Sequence, residues 1–498
     1  MLVALGLSVA PVASLAADGE PAAPLAPAER PADPWDTFVY ERPEPVYRLR
    51  LAIEEVSMVG VAYIGYVIEN PPPSYPGVPS TSVWSKLRFA PDSWYFDDDE
   101  LATNFTGHAV SGTLYYMVAR GNRVSIPEAF LWTLGAATLW ELIEFKEPVS
   151  FNDIWVGTAG GMAIGEAFTQ LSSYFDRGTD RLSQALAWIF DPFKKIHDWV
   201  DGAVPLRDPA TRGWHEFQAL ASAGLLTQGG PVYGAVEIAA STRLFRAPGY
   251  GEAGGAGFGF ADGNVSALGI TATFAGHQTV DFLFDTETAL LGYYARQLKN
   301  SAAGQEGWDL FVGGTAGYEF GSHVWNLAGP ATKNQIAAIR FPGVDVRARI
   351  FSGPFRVTLA VDLALAFAGV EPLGAPGSLP PGAYYPTVYL ANGYYYGLGL
   401  HLAPHVEMRW DSLTIGGAAC IDDFLMDFKG PFVPPPPGPV ASMQDGRSLA
   451  TAWLRWRVTD PSLEFALRGE WRQRWGAVEG LHASQQERSL LGSFAVVF

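Results

Sequence analysis

Cysteine is almost missing from this chain of 498 residues, where Cys420 stands alone. A single thiol excludes an intrachain disulfide and speaks against a thiolate zinc site. Basic residues are also scarce, with 33 Lys and Arg against 51 Asp and Glu, a net charge of −18. That balance excludes nucleic acid as a partner, because a phosphate backbone is gripped by basic patches. The eight histidines are scattered, and neither an HExxH pair nor a GxSxG turn occurs. Zinc-protease and serine-hydrolase chemistry therefore lack their signatures, and nothing calls for a cofactor.

Apolar and aromatic residues are plentiful instead. They make up 48% of the chain, with 55 Gly, 30 Phe, 20 Tyr and 16 Trp, and the mean hydropathy is +0.08. The first residues, MLVALGLSVAPVASLAADGE, read as a secretory signal peptide over 1–17, with Ser14-Leu15-Ala16 as the cleavage site. No lysine or arginine precedes the apolar run, which puts the start codon in question. No cysteine follows the cut, so a lipoprotein is not expected. Residues 18–46 are rich in Pro and Ala and predict a flexible linker.

Over 47–205 the periodicity is helical. RLRLAIEEVSMVGVAYIGYVIEN approaches the length that spans a bilayer, but charges crowd its first turns. Asn104–Arg120 predicts a second helix. Ser125-Ile-Pro-Glu128 is a capping box with proline in the first turn. Ser150-Phe-Asn-Asp153 opens a further helix through Gly157, Gly160, Gly161 and Gly165. Each helical glycine costs about 1 kcal/mol against alanine, so four of them imply close helix packing. A last amphipathic helix over about 180–200 breaks at Asp191-Pro192.

Beyond 231 the period becomes two. In GPFRVTLAVDLALAFAG the odd positions Phe355 to Phe367 are large and apolar, and the even ones are small or charged. The pattern recurs to the terminal SFAVVF. It predicts an α+β chain: an N-terminal all-helical domain, then a transmembrane antiparallel barrel of about twelve strands with an apolar outer face and a polar lumen. The strands expected are about 231–246, 253–261, 264–275, 285–298, 307–322, 336–351, 354–369, 394–410, 412–428, 447–458, 462–475 and 486–498. Residues 206–230 read as a lead-in, with 213–228 an extra strand or a helix. Short turns at 261–263, 352–353, 411–412 and 459–462 share one end, and the loops 370–393, 429–446 and 476–485 the other. The helical domain is expected at the periplasmic mouth or as a plug inside the lumen, and an independent domain on a tether is the alternative.

Candidate chemistry lies in two places. Asn104 and His108 share a helix face, as do Glu141 and Glu144. His108 with Glu141, Glu144 and Asp153 has the types for general acid–base work or a divalent ion, or for hydrogen bonds that hold helices in register. The acidic run 97–100 reads as a solvated loop. In the barrel, Arg347, Arg349, Arg455, Arg457, Arg468, Arg472 and Arg474 face the lumen and would attract an anionic solute, unless they form a mixed-charge ladder with Glu464 and Glu470. His401 and His405 also point inward, as metal ligands, pH-sensing groups or solvated residues. His482 and Ser484 have the residue types of a lipid hydrolase without the rest of its pattern.

NFTGHAVSGTLYYMVARG, WELIEFKEPVSFNDIWVGTAGGMAIGE and their spacing resemble an uncharacterised bacterial family, the domain of unknown function numbered 3943, over about 92–175. The matching positions include Asn104, His108, Arg120, Trp140, Glu141, Glu144, Glu147, Asn152 and Asp153. Where that family often has a proline after the histidine, this chain has Ala109. The resemblance implies an envelope location and no activity. The expected partners are outer-membrane lipid, the barrel-assembly machinery through the strand ending at Phe498, and an anionic solute. Two functions follow: a non-enzymatic barrel serving envelope structure or gated passage, or an envelope enzyme acting on lipid or cell wall around His108.

Overall fold

Twelve antiparallel strands close on themselves in a computed structural model of the chain. It describes residues 37–38, 45–69, 82–90, 93–144, 148–203, 207, 213–246, 249–263, 265–276, 278–327, 332–373, 387–426, 442–459, 463–478 and 481–497. The strands are β1 (Trp214–Thr227), β2 (Val232–Phe245), β3 (Val265–Ala275), β4 (Gln278–Ser301), β5 (Gly304–Trp325), β6 (Thr332–Gly353), β7 (Phe355–Val370), β8 (Tyr395–Trp410), β9 (Leu413–Met426), β10 (Met443–Thr459), β11 (Leu463–Val478) and β12 (Leu481–Val497). Each pairs with the next, and β12 returns to β1 from Arg488↔Thr227 to Val497↔Gln218. Closure leaves no open edge in the ring, which is what a sheet in hydrocarbon requires.

Strand alternation survives because the two faces meet different surroundings. On β7, Leu359, Leu363 and Leu365 are 49%, 50% and 54% exposed on the outer face. The even residues Thr358, Ala364 and Ala366 of the same strand are buried inward. Exposed leucines, with Trp410 and Trp456 among them, form an apolar outer band of the kind expected of a membrane barrel.

Two strand assignments change. The stretch 213–228 is the first barrel strand, β1, so the ring begins at Trp214 and not at 231. Residues Gly254–Phe260 form a short side strand in the β2–β3 connection, paired to the far half of β4. One gained and one displaced strand keep the total at twelve. The stretch 299–306 is a tight β4–β5 hairpin, and 476–485 is mostly paired strand. The turns at 261–263, 352–353 and 411–412 lie at the end where the chain enters β1 and leaves β12, called here the entry end. Residues 1–36, 374–386, 427–441 and Phe498 lie outside the described residues, and with them the signal-peptide, much of the linker and terminal-phenylalanine expectations.

The helices are α1 (Arg48–Glu69), α2 (Val83–Leu87), α3 (His108–Gly121), α4 (Ile126–Ile143), α5 (Phe151–Trp155), α6 (Gly161–Asp176), α7 (Arg181–Phe190) and α8 (Pro192–Val200), with α9 (Thr387–Asn392) in a barrel loop. Wide π turns at Ala102–Gly107 and Val156–Gly160 lead into α3 and α6. Ser125 and Ser150 cap as their motifs predict, each accepting from the N–H three residues on. Asp191 both ends α7 and caps α8. The glycines serve close contact: a Cβ on Gly112 would lie 1.7 Å from the Gly157 carbonyl oxygen, and one on Gly161 would lie 2.4 Å from the Gly112 carbonyl carbon.

The helical domain neither plugs the lumen nor hangs free. It packs on the outer wall. Phe367 follows Leu363 and Leu365 on the outer face of β7, yet is only 8% exposed. Its outward neighbours Tyr318 and Ile339 are also buried, in one core with Phe105, Ala109, Val156 and Ala159 of the helices. The plug expectation finds no support among the described residues, where charged side chains of the wall pair across the lumen, Arg468 with Glu237 and Arg472 with Asp281. The lumen's entry end is stopped by Phe245, Tyr250, Phe258, Tyr294 and Phe311.

Candidate functional site

The motif residues gather into two buried polar knots, one at each end of α3. The first surrounds Asn104, which is fully buried. Its Nδ2, with two protons to give, has three acceptors in reach: the Asp97 carboxylate and the hydroxyls of Tyr394 and Tyr396, the latter at 2.8 and 2.6 Å. Asn152 donates to Asp97 Oδ1 at 3.1 Å and to Asp153 Oδ1 at 2.8 Å, and its own Oδ1 receives the Asp97 N–H at 3.1 Å. His108 Nε2 lies 3.4 Å from Asp153 Oδ2. Glu141 accepts the Ser150 N–H at 2.7 Å, and Lys86 caps the backbone carbonyls of Glu141 and Glu144 at 2.5 Å each. Trp140 meets Tyr66 edge to face at 5.8 Å, while Glu147 lies outside the described residues.

The second knot surrounds Glu166. It accepts from Tyr116 Oη at 2.9 Å and from Arg120 Nε at 2.9 Å, and from Gln170 Nε2 at 2.5 Å. Arg120 also reaches Asp262 in the β2–β3 connection at 3.0 Å, and Gln170 accepts from Arg246 at 2.6 Å. Gly263 follows with φ +61, and a Cβ there would meet Glu166 Oε1 at 2.2 Å. Helices and barrel touch there without room for a side chain.

Both knots bond helix to barrel. The first ties the start of α3 to the loop end of β8, the second ties its last turn to the entry end. Between them the contact is apolar and small-residued: a Cβ on Gly160 would lie 3.3 Å from Ala109 Cβ and 3.5 Å from Ile339 and Tyr318. α3 thus lies along the wall between the two ends.

His108 meets Asp153, and Asp153 and Glu141 lie near Asp97, but the four candidates His108, Glu141, Glu144 and Asp153 do not form a metal set. Among the described residues they bring no three ligand atoms within reach of one ion. Asp153 and Asn152 instead tie into Asp97, a residue whose role the sequence hid inside an acidic run that reads as solvated. Tyr394 and Tyr396 were equally hidden, since they come from a distant barrel strand. Asp99, in the loop of the first knot, has its carboxyl pushed up to about 6 by partial burial and by Asp97, Asp98 and Glu100. Its carbonyl accepts from Tyr394 Oη at 2.8 Å.

Every arginine of the expected basic lumen faces inward and meets a carboxylate. Arg349 pairs with Asp309 at 2.9 Å and stacks on Tyr250 at 4.0 Å; Arg347 pairs with Asp345 at 3.1 Å. Arg455 and Arg457 flank Glu464 at 3.9 and 3.6 Å. Arg474 bonds Asp445 at 2.8 Å. Other pairs cross the lumen: Arg468 of β11 to Glu237 of β2 at 2.5 Å, Arg472 of β11 to Asp281 of β4 at 2.7 Å, Arg447 of β10 to Glu319 of β5 at 2.5 Å. The cavity among Glu237, Asp281, Arg472 and Glu487 measures ≈ 10 Å³, room for about one water. His405 stands 5.3 Å from the Trp453 ring, and His482 and Ser484 sit at the rim of β12.

With this geometry in hand, comparison with known proteins adds the following. A search of curated proteins finds no match. Among solved structures, OmpT, an outer membrane protein of Vibrio cholerae, is 7% identical, covering 57% of this chain and 97% of its own, with a TM-score of 0.20. The translocator domain of the autotransporter NalP from Neisseria meningitidis is 8% identical over 57% of this chain and 88% of its own, with a TM-score of 0.24. Residues 93–193, which hold α3 to α7 and the helical side of both polar knots, match the family described as Domain of unknown function (DUF3943).

Proposed function

We propose that this protein is a solute-tight outer-membrane barrel that carries its helical domain at bilayer depth, against the barrel wall, as a lipid-facing platform of the envelope. The observation that carries this reading is the position of α3. It is tied by Asn104 at one end of the wall and by Arg120 at the other, over residues whose facing is otherwise lipid-exposed. The entry end, with its short turns, would face the periplasm. The helical domain also turns apolar residues away from the barrel. On α1, Leu49, Val61, Ile64 and Ile68 are 76%, 70%, 60% and 73% exposed, and α1 is the helix among those described that is long and apolar enough to cross a membrane. In lipid, close packing of small residues and satisfied polar groups holds helices together, and both occur here.

Passage of an anion has less support, since the arginines are neutralised pairwise. An envelope enzyme has less still, because the carboxylates beside His108 are taken up in hydrogen bonds from Asn104, Asn152 and the Ser150 N–H. The test is a nitroxide at position 64, as Ile64→Cys in a Cys420→Ser background, with the protein in lipid nanodiscs. Relaxation dominated by oxygen is expected, the signature of acyl surroundings. Relaxation dominated by a water-soluble nickel chelate would remove the helical domain from the bilayer.

A further inference from the structure

We infer that the barrel lumen holds a mixed-ligand site for a divalent transition ion of the zinc type, built from His401, Cys420 and Asp422. The sheet register makes it. His401 on β8 is the cross-strand partner of Asp422 on β9, and Cys420 precedes Asp422 by two residues, so all three project from the inner face at one level. His401 Nδ1 lies 2.7 Å from Asp422 Oδ1 and 3.9 Å from Cys420 Sγ, and Sγ lies 3.5 Å from Asp422 Oδ2. The three ligand atoms fall within 4.8 Å of one another, the only such group among the described residues. Nitrogen, sulfur and oxygen donors together suit Zn²⁺, with a fourth position left to water.

The surroundings are those of a metal ligand set. The other ring nitrogen of His401 faces Asp362 Oδ2 at 3.3 Å, the carboxylate–histidine arrangement that fixes the ring and raises its donor strength. The second oxygen of Asp422 receives Arg447 Nε at 2.8 Å, which leaves Oδ1 for the ion. Arg447 and Arg340, whose Nη1 is 3.3 Å from His401 Nε2, are adverse charges, and Glu319 answers both of them, at 2.5 and 3.8 Å. On binding, the ion replaces the thiol proton, and the Cys420 thiolate and the Asp422 carboxylate answer its two charges. A single cysteine excludes the multi-thiolate sites that can be counted from sequence. It does not exclude one thiolate joined by an imidazole and a carboxylate.

Because Cys420 is the sole thiol, cobalt reads this site alone. The full-length protein in detergent, freed of metal with chelator, is titrated with Co²⁺. A thiolate-to-cobalt charge-transfer band saturating at one equivalent, and displaced by Zn²⁺, is expected. Cys420→Ser should abolish the band while leaving the barrel folded, and Asp362→Asn should weaken Co²⁺ binding roughly 10- to 100-fold through loss of the outer carboxylate. Absence of the band in the folded full-length protein would overturn the site. A band unchanged in His401→Gln would overturn its ligand assignment.

Discussion

Gly112 is the position where one methyl group should matter most. An added Cβ meets the backbone carbonyl of Gly157 at 1.7 Å, and backbone cannot swing aside as a side chain can. Gly112→Ala must therefore push α3 off the π turn at Val156–Gly160, at about 1–3 kcal/mol or more. Gly135 of α4 is the internal control, with open space around its Cβ site. Gly135→Ala should leave stability unchanged or raise it by up to ~1 kcal/mol from helix propensity. Thermal melts of the helical circular dichroism in detergent separate the two. Asp99 gives a pH prediction. Its carboxyl is raised in the folded state from about 4 to about 6, so the folded chain holds its proton more tightly than the unfolded chain. The latch of the 97–100 loop on Tyr394 should be firmest below about pH 4 and loosen as pH rises to about 6. Asp99→Asn should flatten that dependence, read by proteolysis of the loop between pH 4 and 7. At this scale the sequence was legible where a residue's role is local, as with the caps at Ser125 and Ser150 and the glycines of α6. It was not legible at Asp97, where three neighbouring acids mask one that is 3% exposed, because its partners Asn104, Asn152 and Tyr396 are set by tertiary packing.

Among elements, α3 behaves as a strap with two independent ends, and each end should open without the other. Tyr394→Phe with Tyr396→Phe removes both hydroxyls that Asn104 serves, leaving its buried amide short of acceptors at about 1–3 kcal/mol. Asp262→Ala removes one of the two carboxylates on Arg120. Hydrogen exchange should rise in 101–107 for the tyrosine pair and in 117–121 for Asp262→Ala. Equal loss across both segments in either variant would mean that α3 docks as one unit. Element type was readable from period alone in β7, β8 and β11, where leucines and aromatics alternate with charges. The period left β1, WHEFQALASAGLLT, open between strand and helix, because Ala, Ser and Gly fill both faces and contrast between them is lost. Part of the reason is physical: Phe217 at its start is covered by Tyr174 and Phe175 of α6, so this stretch of wall does not need a lipid-facing side chain at every outward position. The short strand Gly254–Phe260 has the alternation of a barrel strand, but its Phe258 and Phe260 are spent on the aromatic stopper inside the entry end.

For the whole molecule, inward arginines read either as an anion path or as a mixed-charge ladder, and their pairing favours the ladder. Partners such as Asp281 and Glu237 lie several strands away around the ring, and sequence alternation says which residues face inward but not which of them meet across the lumen. Arg447–Glu319, Arg472–Asp281 and Arg468–Glu237 act as struts over the bore, and His323 adds another to Glu487 at 3.2 Å. A desolvated ion in such a bore would have to break paired charges that cost several kcal/mol each to leave unpaired. The full-length protein in a planar bilayer should therefore show no single-channel events. A version lacking residues 48–203 should be just as silent, because the helices cover the wall from outside and their removal opens nothing. An anion-selective current in the truncated protein alone would restore the plug. Silence is informative only if the assay can see an opening, so the same bilayer should be given Arg340→Ala/His401→Ala/Arg447→Ala. That variant clears three side chains from one level of the lumen and frees Glu319, Asp362 and Asp422 together. The opening it leaves is lined by carboxylates, so the current it admits should be small and selective for cations, opposite in sign to the path that counting arginines suggests.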